Sequence, residues 1–164
     1  MANYKDDFNK RRKSNVAEEQ ALKFYNSIDC IITRYGLDML HRDDITVEKF
    51  CKIPQFIRNT PDFLVIQDTC WLVEVKGCYD YLKLKVCDME SYDRWMEFNP
   101  ILLFAYCSKT KEFNQIPYKY IRDIIYKRNY PLKKYPDNGK EYYEIPMDDL
   151  YDPREPIFKG WRKR

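Results

Sequence analysis

The sequence predicts an α/β domain with a central mixed β-sheet flanked by helices. Three features predict it. A helical apolar pattern begins near Ser14, short apolar runs bounded by turn residues follow at the middle of the chain, and a second helical pattern leads into the run Ile101–Cys107. The resulting order is helix, strand, strand, strand, helix, strand. The last run has no polar interruption, as expected of a strand covered on both faces.

Each element follows from local chemistry. Residues 1–13 are polar, end in Lys10-Arg11-Arg12-Lys13 and show no periodicity, so they are read as a basic arm. Ser14 or Asn15 offers an N-cap for the first helix. Val16, Ala21, Phe24 or Tyr25, Ile28 and Ile32 recur at spacings of three and four, and Gly36 is a natural stop. Asp44 to Phe50 fits a short helix or a strand. Pro54 and Pro61 punctuate the approach to Phe63-Leu64-Val65-Ile66, and Gln67-Asp68-Thr69 connects it to a strand from Cys70 to Val75, giving a hairpin.

Tyr81 to Val86 alternates apolar and basic residues, the period of a half-buried strand with Lys83 and Lys85 on one face. Asp88 stands as an N-cap for a helix carrying Met89, Tyr92, Trp95 and Met96 on its apolar side, ended by Asn99-Pro100. Ile116 to Tyr126 suits a further helix. From Pro131 the chain is rich in Tyr, Pro and charge and is expected to wrap the surface. The division is therefore an arm over 1–13, a core over 14–130 and a C-terminal extension over 131–164 packed on the same domain.

Composition excludes several classes. With 164 residues, 45% of them apolar, the chain can bury one core and is not a disordered tail. The six cysteines lack CxxC spacing and His41 is the only histidine, so a Cys/His zinc site has few ligands. Several of these cysteines lie in apolar runs, where a free thiol behaves as a small hydrophobe. No apolar stretch is long enough to span a bilayer, and a cytoplasmic setting is expected. The net charge of +3 is mild, but basic clusters interleave with 15 Tyr, which suits phosphate backbone and stacking bases. Trp71 and Trp95 are expected to serve core or hairpin packing, and no Ser or Cys nucleophile with a His partner can be assembled.

The chemistry concentrates in Thr60-Pro61-Asp62-Phe63-Leu64-Val65 and Trp71-Leu72-Val73-Glu74-Val75-Lys76-Gly77. Alternation puts Glu74 and Lys76 on one face of their strand, and a hairpin brings Asp62 near them. Two carboxylates and an ammonium then converge beside apolar neighbours, and such convergence needs a reason. A hard divalent cation supplies one, since Mg²⁺ takes oxygen ligands and needs only one or two carboxylates from a protein. Lys76 stands where it can orient water and stabilise developing charge.

Pro61-Asp62 followed by Glu74-Val75-Lys76 resembles the signature of the PD-(D/E)XK nuclease superfamily, over roughly Val16 to Cys107. The resemblance implies a restriction-endonuclease-like αβββαβ core and a Mg²⁺- or Mn²⁺-dependent nuclease, with Asp62, Glu74 and Lys76 catalytic. It also implies metal ligation by Asp62, Glu74, the Val75 carbonyl and a glutamate of the first helix. Glu18 is preferred there because Ala21, Tyr25 and Ile28 continue its stripe, and Glu19 remains open. DNA is the expected substrate, and Lys83 and Lys85 either track phosphate beside the site or form an exposed basic strand face. An endonuclease is favoured over an exonuclease, and a homodimer is expected by resemblance alone. The competing expectation is a non-catalytic module of the same fold that binds nucleic acid or a protein.

Overall fold

The computed structural model describes residues 15–37 and 47–150. The basic arm, His41 and the closing Arg162-Lys163-Arg164 lie outside the described residues. The elements are helix α1 (Val16–Ser27), strand β1 (Ile31–Arg34), short helices α2 (Val47–Lys52) and α3 (Gln55–Arg58), and strands β2 (Phe63–Ile66), β3 (Cys70–Cys78) and β4 (Tyr81–Lys85). Helix α4 (Val86–Trp95), strands β5 (Ile101–Cys107) and β6 (Phe113–Pro117), helix α5 (Tyr118–Arg128), strands β7 (Leu132–Lys134) and β8 (Glu141–Pro146) and a 3₁₀ turn over Met147–Leu150 follow.

The expected mixed sheet is present, with five strands in the order β1-β2-β3-β5-β6. β2 and β3 form the expected hairpin, pairing Phe63 with Val73 and Ile66 with Cys70. β5 lies parallel to β3 from Leu72↔Ile101 to Cys78↔Cys107 and antiparallel to β6, and every residue of β5 is buried. Its two neighbours and two covered faces account for the uninterrupted apolar run. On one face of the sheet, Phe63, Val65, Val73, Val75, Leu102 and Phe104 pack against Ala17, Ala21 and Tyr25 of α1. On the other, Leu72, Ile101, Leu103 and Ala105 meet α4, α5 and the residues Leu82, Leu84 and Ile145.

The structure corrects several expectations. The first helix ends at Ser27, not near Gly36, and Ile32 belongs to β1. Asp29 turns the chain with a φ of 57°, and the β-branched run Ile31-Ile32-Thr33 pairs with β2 in preference to extending the helix. The Asn15 side chain caps the start, accepting the Glu18 N–H at 3.3 Å, and Val16 is exposed. Ile116 lies in β6, and α5 begins only after Pro117, whose ring is tolerated at a helix start and not within one. Asp88 is not a cap: α4 starts directly from Lys85, so Asp88 sits in its first turn.

The largest correction concerns β4. β4 does not join the central sheet. It forms a separate three-stranded sheet in the order β4-β8-β7, pairing with β8 from Tyr81↔Pro146 to Lys85↔Tyr142. β4 finds its partner in β8 of the C-terminal segment. The tail therefore builds part of the core, with Ile145 and Leu150 fully buried beside Leu82 and Leu84.

This placement has a stability consequence. Ile145→Ala is expected to lower the unfolding free energy by about 2–5 kcal/mol, the cost of emptying a sealed aliphatic site. Urea denaturation measures it. A tail merely laid on the surface would shift stability by no more than about 0.5 kcal/mol.

Candidate active site

The site forms where the central sheet forks. β3 pairs with β2 only as far as Val73, while β5 follows it to Cys78. Beyond Val73 the free edge of β3 has unpaired backbone groups, and Asp62, the residue before β2, turns its carboxylate to meet them. Asp62 Oδ2 accepts the Val75 N–H at 2.7 Å, and the Asp62 carbonyl accepts the Tyr35 N–H at 2.8 Å. Main chain and side chain of Asp62 are thus fixed from two sides. Gly36 makes the Tyr35 contact feasible: it has a φ of 88°, and a Cβ there would stand 2.9 Å from the Thr60 Cβ.

Glu74 and Lys76 project from β3 toward α4, as alternation requires. Lys76 Nζ lies 2.7 Å from Glu74 Oε1 and 3.0 Å from Asp88 Oδ2, and 5.9 Å from the centre of the Tyr92 ring. Asp88 and Tyr92 are four apart on α4, so one helix face supplies both. These residues, with Tyr35, Asn59, Thr60, Asp62 and Lys85, line a polar cleft of about 240 Å³. Asn59 Nδ2 donates to the Cys87 carbonyl and the Ser91 hydroxyl, both at 3.2 Å, and so ties the approach to Asp62 onto α4.

Electrostatics mark the same cluster. Burial pushes the Asp62 carboxyl well above its ordinary range, and the charges of Glu74 and Glu18 push it further, against the pull of the Val75 N–H and Lys76. Burial also raises Glu74, although Lys76 opposes it. Burial would lower the Lys76 ammonium, but Glu74, Tyr92 and Asp88 outweigh it and hold Lys76 well above its ordinary value. Carboxylates that repel one another in a desolvated cleft present a ready position for a cation.

The structure brings Asp62, Glu74, Val75 and Lys76 together. It turns Glu18 to the side of α1 that meets the sheet, where its charge reaches Asp62, and leaves Glu19 exposed. Glu18 accepts from Asn15 Nδ2 and pairs with Arg34 Nη1 at 2.8 Å. Lys85 lines the cleft, whereas Lys83 points to Glu144 on the second sheet. Trp95 packs between Tyr35, Phe56 and Phe98, and its indole N–H donates to the Phe56 carbonyl at 2.9 Å. Asp88 and Tyr92 are the residues that pattern reading passed over. One resembled a cap and the other an apolar-stripe residue, and only their four-residue spacing marked them.

Comparison with known proteins gives distant likenesses. No family model and no curated protein matches the chain. Solved structures do, among them two that align over most of the chain. One is Hjc, a Holliday junction resolvase of Archaeoglobus fulgidus, at 13% identity and a TM-score of 0.46, covering 80% of this chain and 89% of that one. The other is D212, a nuclease from a fusselovirus, at 12% identity and a TM-score of 0.45, covering 81% and 79%. At such distance, the activity of this chain has to be argued from its own cleft.

The donor set fits a hard divalent cation. Among the described residues no group of three or more His, Cys, Asp or Glu forms a metal cage. Mg²⁺ does not require one, since it keeps several waters and is held by one or two carboxylates. Asp62 and Glu74 would supply these. An extended residue projects its N–H and C=O to the same strand edge, so the Val75 carbonyl shares the edge that faces Asp62. Among the described residues no helix is long and apolar enough to cross a membrane.

The raised Asp62 value carries a pH-dependent consequence. The folded protein binds this proton more readily than the unfolded chain, so ionised Asp62 costs stability at pH above its folded value. That cost fades as the pH falls through it. In EDTA, Asp62→Asn is expected to raise the melting temperature at neutral pH, by a margin that shrinks on acidification. Thermal unfolding followed by circular dichroism across a pH series checks both the sign and the trend.

Proposed function

We propose that this chain is a divalent-metal-dependent nuclease that hydrolyses phosphodiester bonds in DNA, acting as an endonuclease. The observation that carries the proposal is the convergence of Asp62, Glu74 and Lys76 in one desolvated polar cleft at the fork of β2 and β3. The superfamily resemblance of Pro61-Asp62 and Glu74-Val75-Lys76 supports it, and the two nuclease structures are consistent with it.

In this proposal Asp62, Glu74 and the Val75 carbonyl hold Mg²⁺ or Mn²⁺, with Glu18 completing the set. The metal, when bound, polarises the scissile phosphate and acidifies bound water. Asp62 is held ready by the Val75 amide, so it needs little rearrangement to ligate. Glu18 is the adjustable member, because its partner Arg34 has a side chain 38% exposed and can turn toward solvent or phosphate. Lys76 stays protonated between Glu74 and Asp88 and presents its ammonium to the cleft. There it orients the attacking water and stabilises the charge that develops on the phosphoryl oxygens. Asp88 and Tyr92 fix the Lys76 rotamer from the helix side, and Lys85 at the rim meets a neighbouring phosphate.

Two outcomes test this. Cleavage of labelled linear, circular and branched DNA is expected to need Mg²⁺ or Mn²⁺ and to cease in excess EDTA, with Ca²⁺ supporting it poorly because its looser coordination positions water less well. Nicking of circular DNA identifies endonuclease action. Lys76→Ala is expected to slow single-turnover cleavage by roughly 10²–10³-fold while changing DNA affinity little, since the charge acts mainly in the transition state. Wild-type cleavage by Lys76→Ala would reduce the Glu74–Lys76 pair to an ordinary ion pair. Unchanged DNA affinity without any cleavage by the wild type would leave a binding module.

A further inference from the structure

The outer face of the second sheet is chemically unlike its inner face. Leu82, Leu84 and Ile145 point inward and are fully buried. Outward, the register sets two cross-strand rows: Lys85, Tyr142 and Lys133 in one, Lys83 and Glu144 in the other. Lys85 also lines the cleft, so the first row starts at the active-site rim and runs away from it.

Glu144, on the middle strand, receives a lysine from each side. Lys133 Nζ of β7 donates to its Oε2, and Lys83 Nζ of β4 lies 3.5 Å from its Oε1. Their ammonium groups hold the Glu144 carboxyl below its ordinary range, chiefly through the Lys133 hydrogen bond. Lys83 also lies 5.2 Å from the centre of the Tyr142 ring and 5.8 Å from that of Tyr135, and those rings pack 4.2 Å apart. The tyrosines therefore brace the lysines. Both lysine side chains are 47% exposed, whereas Glu144 is 19% exposed, so cations outnumber the anion and overhang it.

A backbone phosphodiester resembles a carboxylate in the features that matter here: one negative charge and two accessible acceptor oxygens. It can replace Glu144 between the same two ammonium groups. We propose that this face docks the backbone of the DNA strand leaving the cleft, and that Glu144 occupies a phosphate position until the substrate displaces it. The inference rests on the nuclease reading for the identity of the ligand, but its test does not require cleavage. It also makes an unusual demand, that removing one acidic side chain should strengthen binding and removing its partners should weaken it.

Fluorescence anisotropy of a short labelled DNA duplex in EDTA, over a range of salt, reads binding alone. Glu144→Gln is expected to tighten binding about two- to five-fold, the worth of an exposed ion pair released to the ligand. Lys83→Gln combined with Lys133→Gln is expected to weaken it and to lower the log–log salt slope by about two, one for each lost phosphate contact. These shifts have opposite signs, so a shared folding defect cannot produce them. Equal affinity and slope in all three proteins overturn the docking face even if the wild type cleaves DNA. So does weaker binding by Glu144→Gln, or no binding by the wild type. The expected shifts in a protein that never cleaves would keep the docking face and remove the nuclease reading.

Discussion

The hydrogen bond from the Val75 amide to the Asp62 carboxylate, at 2.7 Å, joins the fold to its site. β3 needs a partner on each edge, and β2 leaves it after Val73. A buried amide without an acceptor would cost about 1–3 kcal/mol. Asp62 supplies the acceptor and, by doing so, brings a carboxylate to the edge that also carries the Val75 carbonyl. The fork is at once the end of a ladder and the origin of the cleft. The Tyr35–Asp62 bond and the glycine at position 36 hold β1 against the same point, so three segments distant in sequence meet on one residue.

Lys76 is the counterweight. A cluster of Asp62, Glu74 and Asp88 without a cation would be strongly disfavoured in so dry a position. The ammonium sits between Glu74 and Asp88 and above the Tyr92 ring, and its protonated state is reinforced by all three. It compensates only part of the negative charge, while burial first and the neighbouring carboxylates second raise Asp62 and Glu74. The folded chain thus holds charge it does not fully neutralise. That excess is the electrostatic condition a divalent cation would satisfy.

The walls of the cleft are also mechanically linked. α4 begins directly from Lys85, with no loop between it and β4, so Asp88 and Tyr92 move with the strand that carries Lys83 and Lys85. β4 is fixed in turn by β8, and Leu82, Leu84 and Ile145 seal it onto the central sheet. The C-terminal strands therefore position the helix side of the site without contributing a candidate ligand. This makes residues 132–150 a supporting wall for the cleft.

The sequence by itself determined the elements whose signal is local. The hairpin of β2 and β3, the doubly covered β5, the basic alternation of β4 and the trio Asp62, Glu74 and Lys76 all follow from apolar period and residue type within a few positions. Tertiary structure decided the rest. Ile32 became strand because β2 offered an edge, and β4 left the central sheet because β8 offered it a partner. Asp88 and Tyr92 became site residues because Lys76 lies opposite them, and Glu18 was separated from Glu19 by which side of α1 meets the sheet. Side-chain alternation is written into neighbouring residues, whereas the choice of a strand's partner and the balance of charge in a cleft depend on groups far apart in the chain. Those are set only when the core closes.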